Sequence, residues 1–175
     1  MEWTEIALSG VQPLQFRGKQ ISTAELRETR DRNDGLALHF ETGAHVELRA
    51  AVDVSEDLSI PRIFIIEGAC PNTFMLFGGE RLYWISTSGE VNSEIALFRE
   101  LGESEYWTTN IIQQEGAVVI IYEAGVLVID GALQVRWHKP KLYNDFFVAV
   151  EGNVLKFRRN HEEEWFLRLE DGATP

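Results

Sequence analysis

Histidine, cysteine and carboxylate side chains are the residues of this chain that could act in catalysis or bind a metal. His39 and His45 flank a short segment with the composition of a tight turn. If Thr42 and Gly43 form that turn, His45 faces Phe40 across the hairpin. Because successive side chains of a strand alternate between its two faces, the imidazole of His39 then lies on the opposite face. We therefore expect no shared metal site at this hairpin.

Cys70 is the single cysteine, and it precedes Pro71 in a segment typical of a loop. A nucleophilic cysteine needs a base that generates the thiolate, and no histidine is adjacent to Cys70 in the sequence. We interpret it as a small buried thiol. One cysteine also excludes an intrachain disulfide. The other two histidines, His138 and His161, have polar neighbours and are expected to be exposed to solvent.

Carboxylates cluster at Glu100, Glu103 and Glu105 and again at Glu162–Glu164. Paired carboxylates can cleave glycosides, and clustered ones can bind calcium. Neither cluster has the Asp- and Asn-rich, glycine-bent loop of calcium sites, so we interpret both as solvated surface. The sequence also lacks a phosphate-binding glycine loop, a Gly-x-Ser-x-Gly elbow and a Cys-x-x-Cys pair. We expect no catalytic residue, no metal site and no cofactor.

Aromatic side chains beside acidic ones form the predicted binding site. Tyr106 and Trp107 follow Glu103 and Glu105 closely, and Trp84 is a further candidate. Adjacent residues of a strand point to opposite faces, so at least one of Tyr106 and Trp107 is expected to be exposed. Exposed aromatic rings next to carboxylates would suit a sugar, a peptide or a basic protein surface.

The elements that must position these residues are β-hairpins. The segment from Val118 to Trp137 recurs 28 residues later, from Phe146 to Trp165. Each copy contains an apolar strand, a turn, a second strand and a polar stretch that leads to a tryptophan. Because the two tryptophans recur in register, we expect both to lie in a core.

Four segments share the pattern of apolar run, glycine-containing turn and apolar run, which is typical of hairpins. The expected turn centres are Thr42-Gly43, Gly78-Gly79, Ala124-Gly125 and Gly152-Asn153. The last two turns predict a core of ten side chains: Ile120, Ile121, Tyr122, Leu127, Val128, Ile129, Val148, Val150, Leu155 and Phe157. Residues 23–32, in contrast, fit neither a helical nor a strand pattern.

The repeated unit resembles a blade of a β-propeller, in particular the quinoprotein-type repeat in which a tryptophan follows a glycine-containing turn. The matching residues are Val126–Asp130, Gly131 and Trp137, and then Val154–Phe157 and Trp165. The resemblance covers the C-terminal ~100 residues and identifies no specific family. The predicted fold class is all-β, built from antiparallel hairpin repeats that form either a propeller-like stack or a two-sheet sandwich. We expect one domain spanning residues 1–175.

The charge of the chain limits its partners. Aspartate and glutamate number 28 against 16 lysines and arginines, which gives a net charge of −12. Without a basic patch, binding to a phosphate backbone or to an anionic membrane surface is disfavoured. The N-terminal residues MEWTEIALSG lack the basic and apolar regions of a signal peptide. The sequence therefore predicts a cytoplasmic protein that binds neither nucleic acid nor membranes.

These observations favour a non-enzymatic acidic domain that acts by binding a protein partner, which the charge suggests is basic. One concrete version is an immunity-type inhibitor of a basic protein. The alternative is a carbohydrate-active or other hydrolase that uses surface carboxylates. We expect a monomer or a weak dimer.

Overall fold

The computed structural model describes residues 1–7, 11–27, 35–49, 62–77, 81–98, 108–114, 116–142, 144–160 and 162–175. Within these ranges the regular elements are sixteen β-strands, without a helix. The pairings between them are antiparallel and build four sheets. The prediction of an all-β fold made of antiparallel hairpins is confirmed.

The first of two compact units contains the first nine strands, in two sheets. The strands are β1 (Glu2–Ala7), β2 (Val11–Phe16), β3 (Lys19–Arg27), β4 (Gly35–Phe40), β5 (His45–Arg49), β6 (Arg62–Glu67), β7 (Thr73–Phe77), β8 (Arg81–Ser86) and β9 (Val91–Ala96). Sheet 1 has the order β2-β3-β4-β5, and sheet 2 has the order β1-β6-β7-β8-β9.

The second compact unit contains the remaining seven strands, also in two sheets. The strands are β10 (Thr108–Gln114), β11 (Ala117–Tyr122), β12 (Gly125–Asp130), β13 (Val135–Pro140), β14 (Asp145–Glu151), β15 (Val154–Arg159) and β16 (Glu163–Arg168). Sheet 3 has the order β10-β11-β12-β13, and sheet 4 has the order β14-β15-β16.

Sheets 1 and 2 share a core to which β1–β8 contribute alternate side chains, whereas β9 contributes none. In β4 these are Leu36, Leu38 and Phe40, which are at most 5% exposed. They lie in the same buried cluster as Phe74 and Tyr83 of sheet 2. The period-two alternation predicted for hairpin strands therefore positions this core.

Strands β11 and β12 are the most deeply buried part of the second unit. Ile120 and Ile121 are adjacent in sequence and point to opposite faces, yet both are fully buried. One face of this hairpin packs with residues of sheet 4 that include Leu155 and Phe157. The predicted apolar character of both faces is confirmed.

The pairing of β11 with β12 differs from the prediction by two residues. We predicted a turn centred on Ala124-Gly125, but Tyr122 pairs with Gly125, so the turn consists of Glu123 and Ala124. Since side chains repeat every two residues along a strand, this shift leaves each one on its predicted face. For that reason the side chains of β11 and β12 that were predicted to lie in the core are buried.

Val148 was predicted to be buried, and this prediction is wrong, because 43% of the residue is exposed. A bulge between Phe147 and Ala149 leaves Val148 as an extra residue in β14. Phe147 takes the place opposite Phe157, with ring centroids 5.9 Å apart. Val150 pairs with Leu155 as predicted, but it is half-buried and therefore less buried than predicted.

The predicted two-residue turn at Thr42-Gly43 contains three residues instead. The N–H of Phe40 donates to the Ala44 carbonyl at 2.9 Å, and the N–H of Gly43 donates to the Phe40 carbonyl at 2.9 Å. Gly43 has a φ of 85°, in the left-handed region that glycine adopts easily. The third turn residue moves every side chain of β5 to the face opposite the predicted one.

The predicted turn at Gly78-Gly79 lies outside the described residues.

We expect truncation of the β11–β12 core to destabilise the protein strongly. Ile120→Ala removes fully buried methylene groups and should lower the free energy of unfolding by about 2–5 kcal/mol. Val148→Ala removes atoms of a largely exposed side chain and should change it by less than about 0.5 kcal/mol. Urea denaturation of both variants measures the difference. A loss under about 1 kcal/mol for Ile120→Ala would contradict the burial assigned to this hairpin.

Candidate functional site

Of the five predicted binding residues, the structure describes Trp84 alone. Glu103, Glu105, Tyr106 and Trp107 lie outside the described residues. Trp84 is half-buried in β8, and Ser93 of β9 is its cross-strand partner. The described part of the predicted site is therefore the β8–β9 end of sheet 2.

Strand β9 is the outermost strand of sheet 2 and is exposed along nearly its whole length. Five of its six residues are exposed, and only Ile95 is half-buried. Val91, an apolar residue, is 40% exposed. An outer strand carries backbone donors and acceptors that no neighbouring strand of its sheet uses, and it can pair with an added strand.

The backbone of β9 is regular over its second half and irregular over its first. Ser93 pairs with Trp84 and Ala96 with Arg81 in an unbroken register. A bulge then shifts the register between Trp84 and Ile85, so Asn92 is the extra residue of β9. Bulges limit the length over which an outer strand can be extended by pairing. The part of β9 that can accept a further strand is therefore its second half.

Carboxylates lie along this outer strand. Glu94 has a side chain that is 50% exposed, and the guanidinium of Arg81 lies 2.6 Å from one of its oxygens. Glu90, directly before the strand, is also exposed. An ion pair at this level of exposure contributes at most about 1 kcal/mol to stability, so Arg81 can release Glu94 to another cation at little cost.

A polar cluster lies within the second unit, between sheet 3 and the segment that follows β9. The N–H of Phe98 donates to the hydroxyl of Tyr122 at 3.0 Å, and that hydroxyl lies 2.6 Å from Nε2 of His138. The ring of Phe98 packs on the imidazole with centroids 4.2 Å apart. Because burial disfavours the charged form, the pKa of His138 is lowered to about 4.

The expectation that His138 is solvent-exposed is therefore wrong. The residue is half-buried and neutral at pH 7, with Phe98 covering its ring. A side chain on Gly125 would overlap the Tyr122 hydroxyl and come within 3.0 Å of the Lys139 carbonyl. This crowding indicates a packed structural cluster that connects Phe98 to sheet 3. Sequence reasoning missed it because Tyr122 was interpreted as an apolar core residue alone.

Asp145 forms a second buried polar contact, within sheet 4. Its carboxylate is almost inaccessible and accepts hydrogen bonds from the guanidinium of Arg159 at 2.7 and 3.2 Å and from the Leu142 N–H at 3.0 Å. Burial alone would raise the pKa of Asp145, but these hydrogen bonds outweigh it and hold the pKa below its usual value. The carboxylate therefore remains ionised and connects β14 to β15.

The Glu162–Glu164 cluster does not converge on a common point. Glu164 lies 2.9 Å from the Lys156 ammonium and 3.0 Å from the Arg158 guanidinium, both on the neighbouring strand. The hydrogen bond from Lys156 and, to a smaller extent, the hydrogen bond from Arg158 hold the pKa of Glu164 below its usual value. The described part of the chain contains no group of three or more His, Cys, Asp or Glu side chains arranged around one point.

The remaining predicted residues have varied environments. Cys70 was expected to be buried and is half-buried instead. Trp137 is buried as predicted, and its indole N–H donates to the Leu169 carbonyl at 3.0 Å. Trp165 is half-buried and stacks on Phe157 with ring centroids 4.5 Å apart. His161 lies outside the described residues.

In the ranges that the structure covers, no element is a helix able to span a membrane.

Comparison with known proteins identifies no family. No protein-family model matches the chain, and no curated protein matches it. Among solved structures, one similar to this chain is the crystal structure of BamB from Moraxella catarrhalis. The similarity covers 98% of this chain and 76% of the BamB chain, with a TM-score of 0.42 and 8% sequence identity. At these values the likeness is weak.

We expect the neutral state of His138 to make stability depend on pH. In the folded protein the imidazole of His138 has a pKa of about 4. In the unfolded chain it has the ordinary histidine pKa of 6.5 and binds a proton at higher pH. The contribution of His138 is therefore complete above about pH 6.5 and is lost progressively as the pH falls towards 4. The loss amounts to at most about 3 kcal/mol.

Urea denaturation at a series of pH values from about 7.5 down to about 4 measures this effect. His138→Asn should be less stable than the wild type at neutral pH, and the gap between the two should narrow as the solution becomes acidic. Val148→Ala, which changes an exposed side chain that does not titrate, is the control for carboxylates that titrate in the same range. A gap between wild type and His138→Asn that is constant with pH would contradict the assigned neutral state.

Proposed function

We propose that this chain is a non-enzymatic binding domain that recognises a basic, extended segment of another protein along β9. The observation that carries the proposal is the exposure of this outer strand, in which five of six residues face solvent. A strand so placed at the end of a five-stranded sheet offers its backbone to a partner without rearrangement of the core.

Backbone hydrogen bonds would supply the affinity of such a contact. In an outer strand every second residue directs its N–H and carbonyl groups away from the sheet, and an extended peptide can satisfy them by adding a strand. The regular register from Ser93 to Ala96 gives the peptide a straight surface. The bulge at Asn92 would end the pairing and so select for a short contact.

Charge and an aromatic side chain would supply selectivity. The chain carries a net charge of −12, which accelerates encounter with a basic partner. Glu94 shares a face of sheet 2 with its partner Tyr83, whereas Glu90, opposite Ser86, lies on the face of Trp84. A cationic side chain on either face of a bound peptide would therefore meet a carboxylate. Trp84, one strand inward, is half-buried and offers part of its ring to an apolar residue of the peptide.

An immunity-type inhibitor of a basic toxin or nuclease is the particular version that we propose. Acidic inhibitors of this kind would use carboxylates as surrogates for the anionic groups that a basic protein normally binds. The support for this version is the charge of the chain together with the acidic outer strand. Its test is whether a basic protein loses activity when this chain binds it.

We expect a synthetic peptide of alternating lysine and valine to bind the full chain, and an alternating glutamate and valine peptide not to bind. Because the contact is partly electrostatic, affinity should fall by about tenfold between low and moderate salt. Fluorescence anisotropy of labelled peptides measures both effects. Equal binding of the two peptides would contradict the electrostatic part of the proposal.

Two charge-reversal variants separate a specific contact from general attraction. Glu90→Lys/Glu94→Lys places cations directly before β9 and on it. Glu162→Lys/Glu163→Lys makes the same change of net charge at exposed positions where β16 of sheet 4 begins. The β9 variant should lose about tenfold or more in affinity for the lysine peptide, and the sheet 4 variant should lose far less. Equal losses would show that the peptide responds to net charge alone, and the proposed surface would be wrong.

We expect no turnover of glycoside or ester substrates by the purified chain. This follows from the proposal that its carboxylates act in binding and in ion pairs. A broad chromogenic panel measures turnover, with heat-denatured protein as the control. Activity that a single aspartate or glutamate substitution abolishes would overturn the binding-domain proposal in favour of a hydrolase.

A further inference from the structure

His39 and His45 are direct cross-strand partners in sheet 1, contrary to the prediction from sequence. Their rings stack with centroids 4.7 Å apart and planes inclined by 15°. The expectation that they lie on opposite faces is wrong because the turn between β4 and β5 has three residues. Glycine at position 43, with its φ of 85°, makes that turn possible.

The position of the pair within the hairpin brings the imidazoles unusually close. Phe40 and Ala44, the next pair towards the turn, are hydrogen-bonded through the Phe40 N–H. Hydrogen-bonded and non-hydrogen-bonded pairs alternate along an antiparallel ladder, so His39 and His45 occupy a non-hydrogen-bonded pair. At such positions the Cα atoms are about 4.5 Å apart, and the side chains are closer than elsewhere in a sheet.

Both imidazoles are accessible to ions in solution. The side chains of His39 and His45 are 41% and 40% exposed. The exposed rings can turn about χ2, so that one nitrogen of each points towards a common ion.

Carboxylates on the same face add negative charge to the pair. An oxygen of Glu25 lies 3.6 Å from Nε2 of His39, and an oxygen of Glu47 lies 3.9 Å from Nε2 of His45. Glu25 belongs to β3 and Glu47 to β5, so the acidic groups flank the pair on two strands. Imidazole nitrogen with carboxylate oxygen is the donor set that zinc and copper ions accept.

We propose that His39 and His45 chelate a divalent transition-metal ion, such as Zn²⁺ or Cu²⁺, on the exposed face of sheet 1. The two imidazoles are the protein ligands that define the site, and water completes the coordination. Glu25 and Glu47 attract the cation and orient the rings. The ion joins β4 to β5 and stabilises the folded hairpin, because the unfolded chain does not hold the two histidines together.

This site is independent of the proposed peptide-binding strand, since it uses sheet 1 residues and no residue of β9. A chain that binds metal but no basic peptide, or the reverse, would therefore distinguish the two proposals.

Titration of the tag-free full chain with ZnCl₂ and with CuCl₂, followed by calorimetry, tests the site. We expect binding of one ion per chain at neutral pH and a rise in the melting temperature when the ion is present. His39→Asn and His45→Asn should each lower the affinity by about tenfold or more, because either change leaves a single imidazole ligand. The double variant should lose little beyond the single ones, and His161→Asn should bind as the wild type does.

Losses of only about twofold in each single variant, adding up in the double variant, would show two independent weak ligands and overturn the chelate. Binding that survives in the double variant would place the ion elsewhere and also overturn it. Circular dichroism checks that each variant is folded. For a variant that fails to fold, Cu²⁺ broadening of the wild-type histidine ring signals in NMR spectra gives the answer: both His39 and His45 should broaden together, and broadening of neither would refute the site.

Discussion

The number of residues in each hairpin turn decides which side chains of this protein face the core. Turns that span Phe40–Ala44, Ser86–Glu90 and Asp130–Gln134 share one geometry, in which the third of three turn residues donates back to the residue before the turn. That third residue has positive φ in each case, at Gly43, Gly89 and Leu133. A leucine in this region costs about 1 kcal/mol or more. The Leu133 side chain is only 1% exposed, and burial of a leucine side chain contributes stabilisation of at least that size. Adding or removing one turn residue would place every side chain of the following strand on the opposite face of its sheet.

The alternation of apolar residues predicted the hairpins because the two strands of a hairpin follow each other closely in the sequence. The turn at Gly152-Asn153 was predicted correctly, since a glycine at the first turn position suits a two-residue turn. The bulge at Val148 was not predictable, because nothing local marks which residue of an apolar strand is the extra one. Residues 23–32 fitted neither pattern, and the described part of them belongs to β3. Pairing on both sides, with β2 and β4, holds that strand more firmly than its own composition would.

The sequence predicted little of the candidate site. Trp84 was found as an aromatic residue, but the exposure of β9 depends on its place at the end of sheet 2, which long-range pairing determines. The contact of His138 with Tyr122 joins β13 to β11 across the intervening β12, and it depends on the pairing registers within sheet 3. His39 and His45 were recognised as a pair and then assigned to opposite faces, because a turn one residue shorter was assumed. The single-domain organisation, the cytoplasmic location and the monomeric state stay predictions.

Strand β1 pairs with β6, although the whole of sheet 1 lies between them in the chain. During synthesis Trp3 must therefore leave the ribosome long before Ile66, its partner, has been made. Closing a long loop loses more chain entropy than closing a hairpin, and pairings between distant segments form slowly. Prior folding of sheet 1 would shorten the distance that β1 has to search. Until then the nascent chain carries an unpaired strand with an indole ring, and an unpaired strand of this kind is prone to aggregation.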